Sequence, residues 1–121
     1  MEKVMICGSI DWTNESYISK IIKKLPKDVT VIHGNLEGVE SIVHACCKFF
    51  NIKNKINTDF DLSYYTPLDL SARLMCICDA ERPDKIIVID NTYDDSMCEY
   101  GFLKYITTTK DIIVIKSVYY Y

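Results

Sequence analysis

Apolar residues along this chain follow two periods in alternation. Lys3 to Cys7 reads Lys-Val-Met-Ile-Cys, a short continuous apolar run that stops at Gly8 and Ser9. A run of that length without polar alternation is the pattern of a strand buried on both faces, as in a parallel sheet. Tyr17, Ile18, Ile21, Ile22 and Leu25 then recur at helical spacing up to Pro26, which cannot continue a helix. Val29 to His33 is a second β-branched run, punctuated by Gly34, and Val39, Ile42, Val43, Cys46, Phe49 and Phe50 repeat the one-sided helical pattern. Ile52 to Ile56 is a weaker strand, diluted by lysine and asparagine as edge strands are.

Asn57 to Tyr65 has no period and reads as a loop. Thr66-Pro67-Leu68-Asp69 supplies a cap, a proline at the first helical position and an early acid, which predicts a helix to about Asp79. Lys85 to Asp90 is the strongest strand signal, Ser96 to Ile106 reads as a short helix, and Asp111 to Lys116 as a last strand. This alternation predicts a single Rossmann-like, three-layer α/β domain over residues 1–121, its mainly parallel sheet having about five strands joined by right-handed crossovers. Such sheets take ligands beyond the carboxyl ends of their strands, where Gly8, Gly34 and the Asp90 to Ser96 segment are expected to meet.

Composition narrows the partners. A net charge of −3 with Lys and Arg interspersed among Asp and Glu leaves no basic stripe, so no nucleic-acid duplex partner is expected. Apolar runs such as Ile86 to Ile89 fall far short of the roughly 20 residues of a membrane helix, so no membrane partner is expected either. The chain opens without a charged segment followed by a long apolar one, and a cytoplasmic location is expected. The six cysteines, Cys7, Cys46, Cys47, Cys76, Cys78 and Cys98, lack zinc-ligand spacing and are expected to be reduced, mostly buried thiols, with no metal and no cofactor.

Three strand ends carry the candidate chemistry. At the first, Gly8 lets backbone approach a ligand and the Ser9 hydroxyl can reach a phosphate or sugar, unless the pair is only a turn. At the second, Gly34 and Gly38 bracket Asn35, Leu36 and Glu37 before a helix, a turn that can offer N–H groups to an anion. His33 there is a strand-end hydrogen-bonding residue or a ligand contact, and His44 reads as a helix-surface residue. At the third, Asp90 to Gly101 places Glu99 one turn into a helix, where it either complements the helix N-terminus, as Asp94 and Asp95 do, or holds ribose hydroxyls or attacks an anomeric carbon as a nucleophile.

Val-Met-Ile-Cys-Gly-Ser followed by Asp11-Trp12, with His33-Gly34-Asn35-Leu36-Glu37-Gly38-Val39-Glu40 after the second strand, resembles the SLOG superfamily, especially its small YspA-like branch related to the Lonely Guy proteins. The likeness covers the first fifty residues well and the remainder loosely. It implies a Rossmann-like fold that binds nucleotides or nucleotide-derived molecules, with Gly8, Ser9, Asp11, Trp12, His33, Gly34, Asn35, Gly38, Glu40, Asp90 and Ser96 at the ligand. Lonely Guy enzymes release a free base from nucleoside monophosphates, and by that likeness Glu99 and Arg73 would be the catalytic pair. Ser96 to Gly101 is also similar to the Thr-x-x-Glu-x-Gly segment of nucleoside deoxyribosyltransferases, in which the glutamate attacks the sugar.

The chain departs from these patterns at Ile10, Asn35 and Leu74, which stand where the family has arginine, glycine and asparagine, and it has no Pro-Gly-Gly before Ser96. The leading expectation is therefore a nucleotide-ligand sensor or sequestering protein. The alternatives are an N-glycosidic-bond enzyme, either phosphoribohydrolase or deoxyribosyltransferase-like, and a structural oligomer with a decayed pocket. A homo-oligomer is expected, because small domains of this superfamily often place the site at a dimer edge and the chain is rich in tyrosine.

Overall fold

The computed structural model describes residues 2–58, 67–90, 100–103 and 113–118. Its elements are β1 (Lys3–Gly8), α1 (Glu15–Lys23), β2 (Thr30–His33), α2 (Val39–Phe49), β3 (Asn54–Ile56), α3 (Pro67–Glu81), β4 (Lys85–Asp90) and β5 (Ile113–Val118). The described strands form one sheet in the order β3-β2-β1-β4-β5, every neighbouring pair parallel. The fold is α/β and Rossmann-like, and the short, lysine-bearing β3 lies at the sheet edge as its sequence predicts.

Period-2 geometry in the strands splits the core in two. Val4 and Ile6 of β1, Val31 of β2 and Ile87 and Ile89 of β4 pack with Ile18 and Ile22 of α1 and Val39, Val43 and Cys47 of α2. Met5 and Cys7, Ile32, and Ile86 and Val88 point the other way, onto Leu74, Ile77 and Cys78 of α3 together with Tyr100, Phe102 and Leu103. Adjacent residues of one strand thus serve opposite layers, which is why these strands read as unbroken apolar runs.

Local chemistry fixes the helix ends. Asn14 caps α1, its side-chain oxygen accepting the Tyr17 N–H at 3.1 Å, while Lys20 and Lys23 occupy the last turn, where the helix dipole favours cations. α2 has no side-chain cap. Gly38 stands before it at φ 77° and ψ −129°, a conformation reserved for glycine, and the Val39 N–H donates instead to the Ser9 carbonyl at 3.0 Å. β5 lies two residues later than its apolar run alone suggests, because its parallel ladder pairs Lys85 through Asp90 with Ile113 through Val118. α3 runs two residues beyond Asp79, to Glu81. The predicted 57–65 loop and 96–106 helix fall mostly outside the described residues, except that Phe102 and Leu103 are helical. Among the described residues no helix is long and apolar enough to cross a membrane.

Candidate site at the carboxyl edge of the sheet

The strand order reverses between β1 and β4, whose chains continue to opposite sides of the sheet. In parallel α/β sheets the crevice at such a reversal is where ligands bind. Gly8, Ser9 and Asp90 stand at its two strand ends, with the β2–α2 turn alongside. The elements are tied together by backbone: the Ser9 N–H donates to the Ile89 carbonyl at 3.0 Å, and the Ser9 carbonyl receives the Val39 N–H. The Ser9 hydroxyl oxygen accepts the Asp11 N–H at 3.2 Å, leaving Asp11 exposed on the turn.

Each glycine of the predicted ligand turns is required by the protein itself. A Cβ on Gly8 would strike the Ile89 carbonyl of β4 and lie 3.0 Å from Val39 Cγ2. On Gly38 it would strike the Ser9 carbonyl and Ile10, and on Gly34 the Arg73 guanidinium and the Glu40 carboxylate. The sequence assigns these positions to close approach by a ligand; the space beside them is filled by neighbouring strands and side chains. Valine at Gly34 or Gly38 would therefore perturb the fold before it reported on binding.

Arg73 and Glu40 form the most heavily buried charged pair described. Arg73 is 2% exposed and Glu40 3%, and the guanidinium meets the carboxylate twice, at 2.8 and 2.5 Å. Glu40 Oε1 also accepts the Leu36 N–H at 3.3 Å, so the pair anchors the 34–38 turn from beneath. Arg73 is thus committed to an internal carboxylate, where the family likeness implies a ligand phosphate. The pairing spans 33 residues of sequence. Its only trace there is a charged residue on an otherwise apolar helix stripe (Leu70, Leu74, Ile77), which marks a buried, partnered charge.

Trp12 also departs from the role its motif implies. It is 2% exposed, packs in the α1–α2 core against Tyr17 at 5.4 Å, and donates its indole N–H to the Asn14 carbonyl at 2.8 Å. His33 is wholly buried. Its Nδ1 donates to the Gly34 carbonyl at 2.7 Å and its Nε2 lies 3.1 Å from Asn54 Oδ1, tying the end of β2 to the start of β3. Asn35 and Glu37 are exposed, so the Glu37 charge faces water. Asp90, 5% exposed, accepts the Tyr100 hydroxyl at 2.5 Å, a partnership absent from the sequence reading. Ser96 and Glu99 lie outside the described residues.

A cavity of about 130 Å³ opens at this edge, lined by His33, Gly34, Asn35, Ser41, His44 and Ile56. His44, expected on the helix surface, is half-buried with its ring 5.2 Å from that of His33, and its Nδ1 has no hydrogen-bond partner among the described residues. No family model and no curated protein matches the chain. Among the described residues no group of three or more His, Cys, Asp or Glu side chains could hold a metal ion.

Cys7, beneath the crevice, is an inert thiol. Burial, foremost, and then the Glu40 carboxylate push its pKa well above the ordinary value. Burial also pushes Cys47 up to about 12. Both thiols should resist an aromatic disulfide reagent at pH 8 in the native protein, while the exposed Cys76 reacts at once. Because these folded-state values are raised, the two thiols stabilise the fold fully below the unfolded thiol pKa of about 8.5, and that contribution is lost as pH rises above it, for Cys47 over the range up to about 12. Labelling of Cys7 or Cys47 as fast as Cys76, followed by peptide mapping, would contradict their burial.

Proposed function

We propose that this protein binds a nucleotide or nucleotide-derived small molecule at the carboxyl edge of its sheet, as a sensor or sequestering protein. The observation that carries the reading is the reversal of strand order at β1 and β4, with Gly8-Ser9 and Asp90 at those two strand ends. The adjacent cavity has the volume of about four liquid water molecules, room for one flat ring with sugar and phosphate lying outward along the 34–38 turn. Electrostatics limits the phosphate. Asp11, Glu37 and Asp90 surround this edge, and Arg73 and Glu40 neutralise each other, so no cation is left over for a phosphate from that pair. A nucleoside or monophosphate suits that field, and a triphosphate does not.

A thermal-shift panel of nucleosides, monophosphates, triphosphates and cyclic derivatives tests the reading, since a ligand selective for the native state at a hundred times its Kd adds about 2.7 kcal/mol of apparent stability. The expected order is nucleoside or monophosphate above triphosphate. Asn35→Ala, at an exposed position, should leave the melting temperature of the free protein unchanged and weaken the best ligand roughly two- to tenfold by loss of one hydrogen bond. If no compound in the panel at millimolar concentration shifts the melt or gives heat in calorimetry, the proposal fails. Free base in the same mixtures by chromatography would replace the sensor reading with a hydrolase.

A further inference from the structure

We propose that the groove between α1 and α2 is a self-association surface, in which two copies of the chain pack α1 against α1 in antiparallel fashion. The groove, about 480 Å³, lies on the outer face of these helices and is separate from the carboxyl-edge site. One wall is Glu15, Ser16 and Ser19; the other is the apolar stripe Ile42, Ala45, Cys46 and Phe49. Phe49 is 83% exposed, its ring edge-on to Phe50 at 5.1 Å. An exposed aromatic ring at the mouth of a groove with one apolar and one polar wall has the make-up of an interface, an aromatic and apolar centre rimmed by polar groups.

The pattern on α1 selects the occupant. Glu15, Ser19 and Lys23 are spaced four residues apart and form one stripe along the rim of the groove. Glu15 and Lys23 each lie about 6 Å along the helix axis from Ser19, on opposite sides of it. A two-fold axis through Ser19 would set Glu15 of each copy against Lys23 of the other, with the smallest side chain of the stripe at the crossing. A two-fold interface pairs a surface with itself, so this self-complementary arrangement of charge fits a second copy of the chain. The Lys23 ammonium lies 5.1 Å from the Phe50 ring centroid, which holds it at the groove rim. The small side chains of Ser16 and Ala45 on the two walls leave room for an incoming Phe49 ring.

Sedimentation velocity across a concentration series, with melting curves to confirm folding, decides the matter. The wild type is expected to dimerise and Phe49→Asp, which removes no core contact, to remain monomeric. Glu15→Lys alone and Lys23→Glu alone should each weaken the dimer at least about tenfold by setting like charges face to face, and the double reversal should restore it. A wild type that is monomeric at every concentration overturns the proposal, as does a dimer indifferent to Phe49→Asp. A dimer lost in both single reversals but not recovered in the double one overturns the antiparallel geometry.

Discussion

Arg73→Ala is expected to destabilise the protein by about 3–5 kcal/mol, the usual consequence of breaking a buried ion pair by removing one member. The guanidinium is 2% exposed and makes two short hydrogen bonds to Glu40, so its loss leaves a carboxylate buried at 3% exposure with the Leu36 N–H as its other described donor. For a domain of this size that corresponds to a fall in Tm of roughly 10–20 °C. Glu40→Ala should cost a similar amount, because it strands the guanidinium. The double variant Arg73→Met with Glu40→Leu should be far less destabilised than the two single losses summed, since apolar groups of similar size need no partner. Urea or thermal melts of the wild type and these three variants make the comparison. An Arg73→Ala protein melting within about 2 °C of wild type would mean that the pair does not anchor the β2–α2 turn.

Gly8→Ala should be at least as severe despite adding a single methyl group. Its Cβ meets the backbone carbonyl of Ile89, the register partner of Gly8 on the neighbouring strand β4, and backbone inside a sheet cannot swing aside as a side-chain tip can. Accommodation would part β1 from β4 and break the Ser9 N–H bond to Ile89, at the junction of both core layers. A cost of at least about 3 kcal/mol follows, at the upper end for forced overpacking, out of a total that is about 5–15 kcal/mol for most domains. Low soluble yield, or a urea midpoint well below wild type, is the expected result. A Gly8→Ala protein with the wild-type midpoint would show that β1 and β4 stand further apart at Gly8.

The apolar runs at Lys3 to Cys7 and Lys85 to Asp90 and the one-sided helical repeats announced their elements, because burial on one or two faces imposes periods that survive in the residue order. The edge position of β3 was legible for a similar reason: a strand with one open side tolerates Lys53, Asn54 and Lys55. The glycines were legible as places where a side chain is forbidden, but not as to what forbids it. At Gly8 it is a strand paired 81 residues further along the chain; at Gly34 it is an arginine on the opposite layer.

Arg73, Trp12 and Tyr100 carry the same lesson for side chains. A motif shows that an arginine or a tryptophan stands at a given place, and either residue can face a ligand or the protein. Only the packing of α3 over the carboxyl ends of β1 and β2 turned Arg73 inward to Glu40, and only the position of Tyr100 beside β4 gave Asp90 its hydroxyl donor. The sequence by itself determined the α/β architecture, the order of strands and helices along the chain, and the positions where backbone comes close. Tertiary structure decided the strand order across the sheet and which polar groups satisfy one another. The physical reason is range: periodicity is written by the faces of single elements, whereas a buried charge or hydroxyl is paired by whatever residue, however distant in sequence, the assembled layers bring within hydrogen-bonding reach.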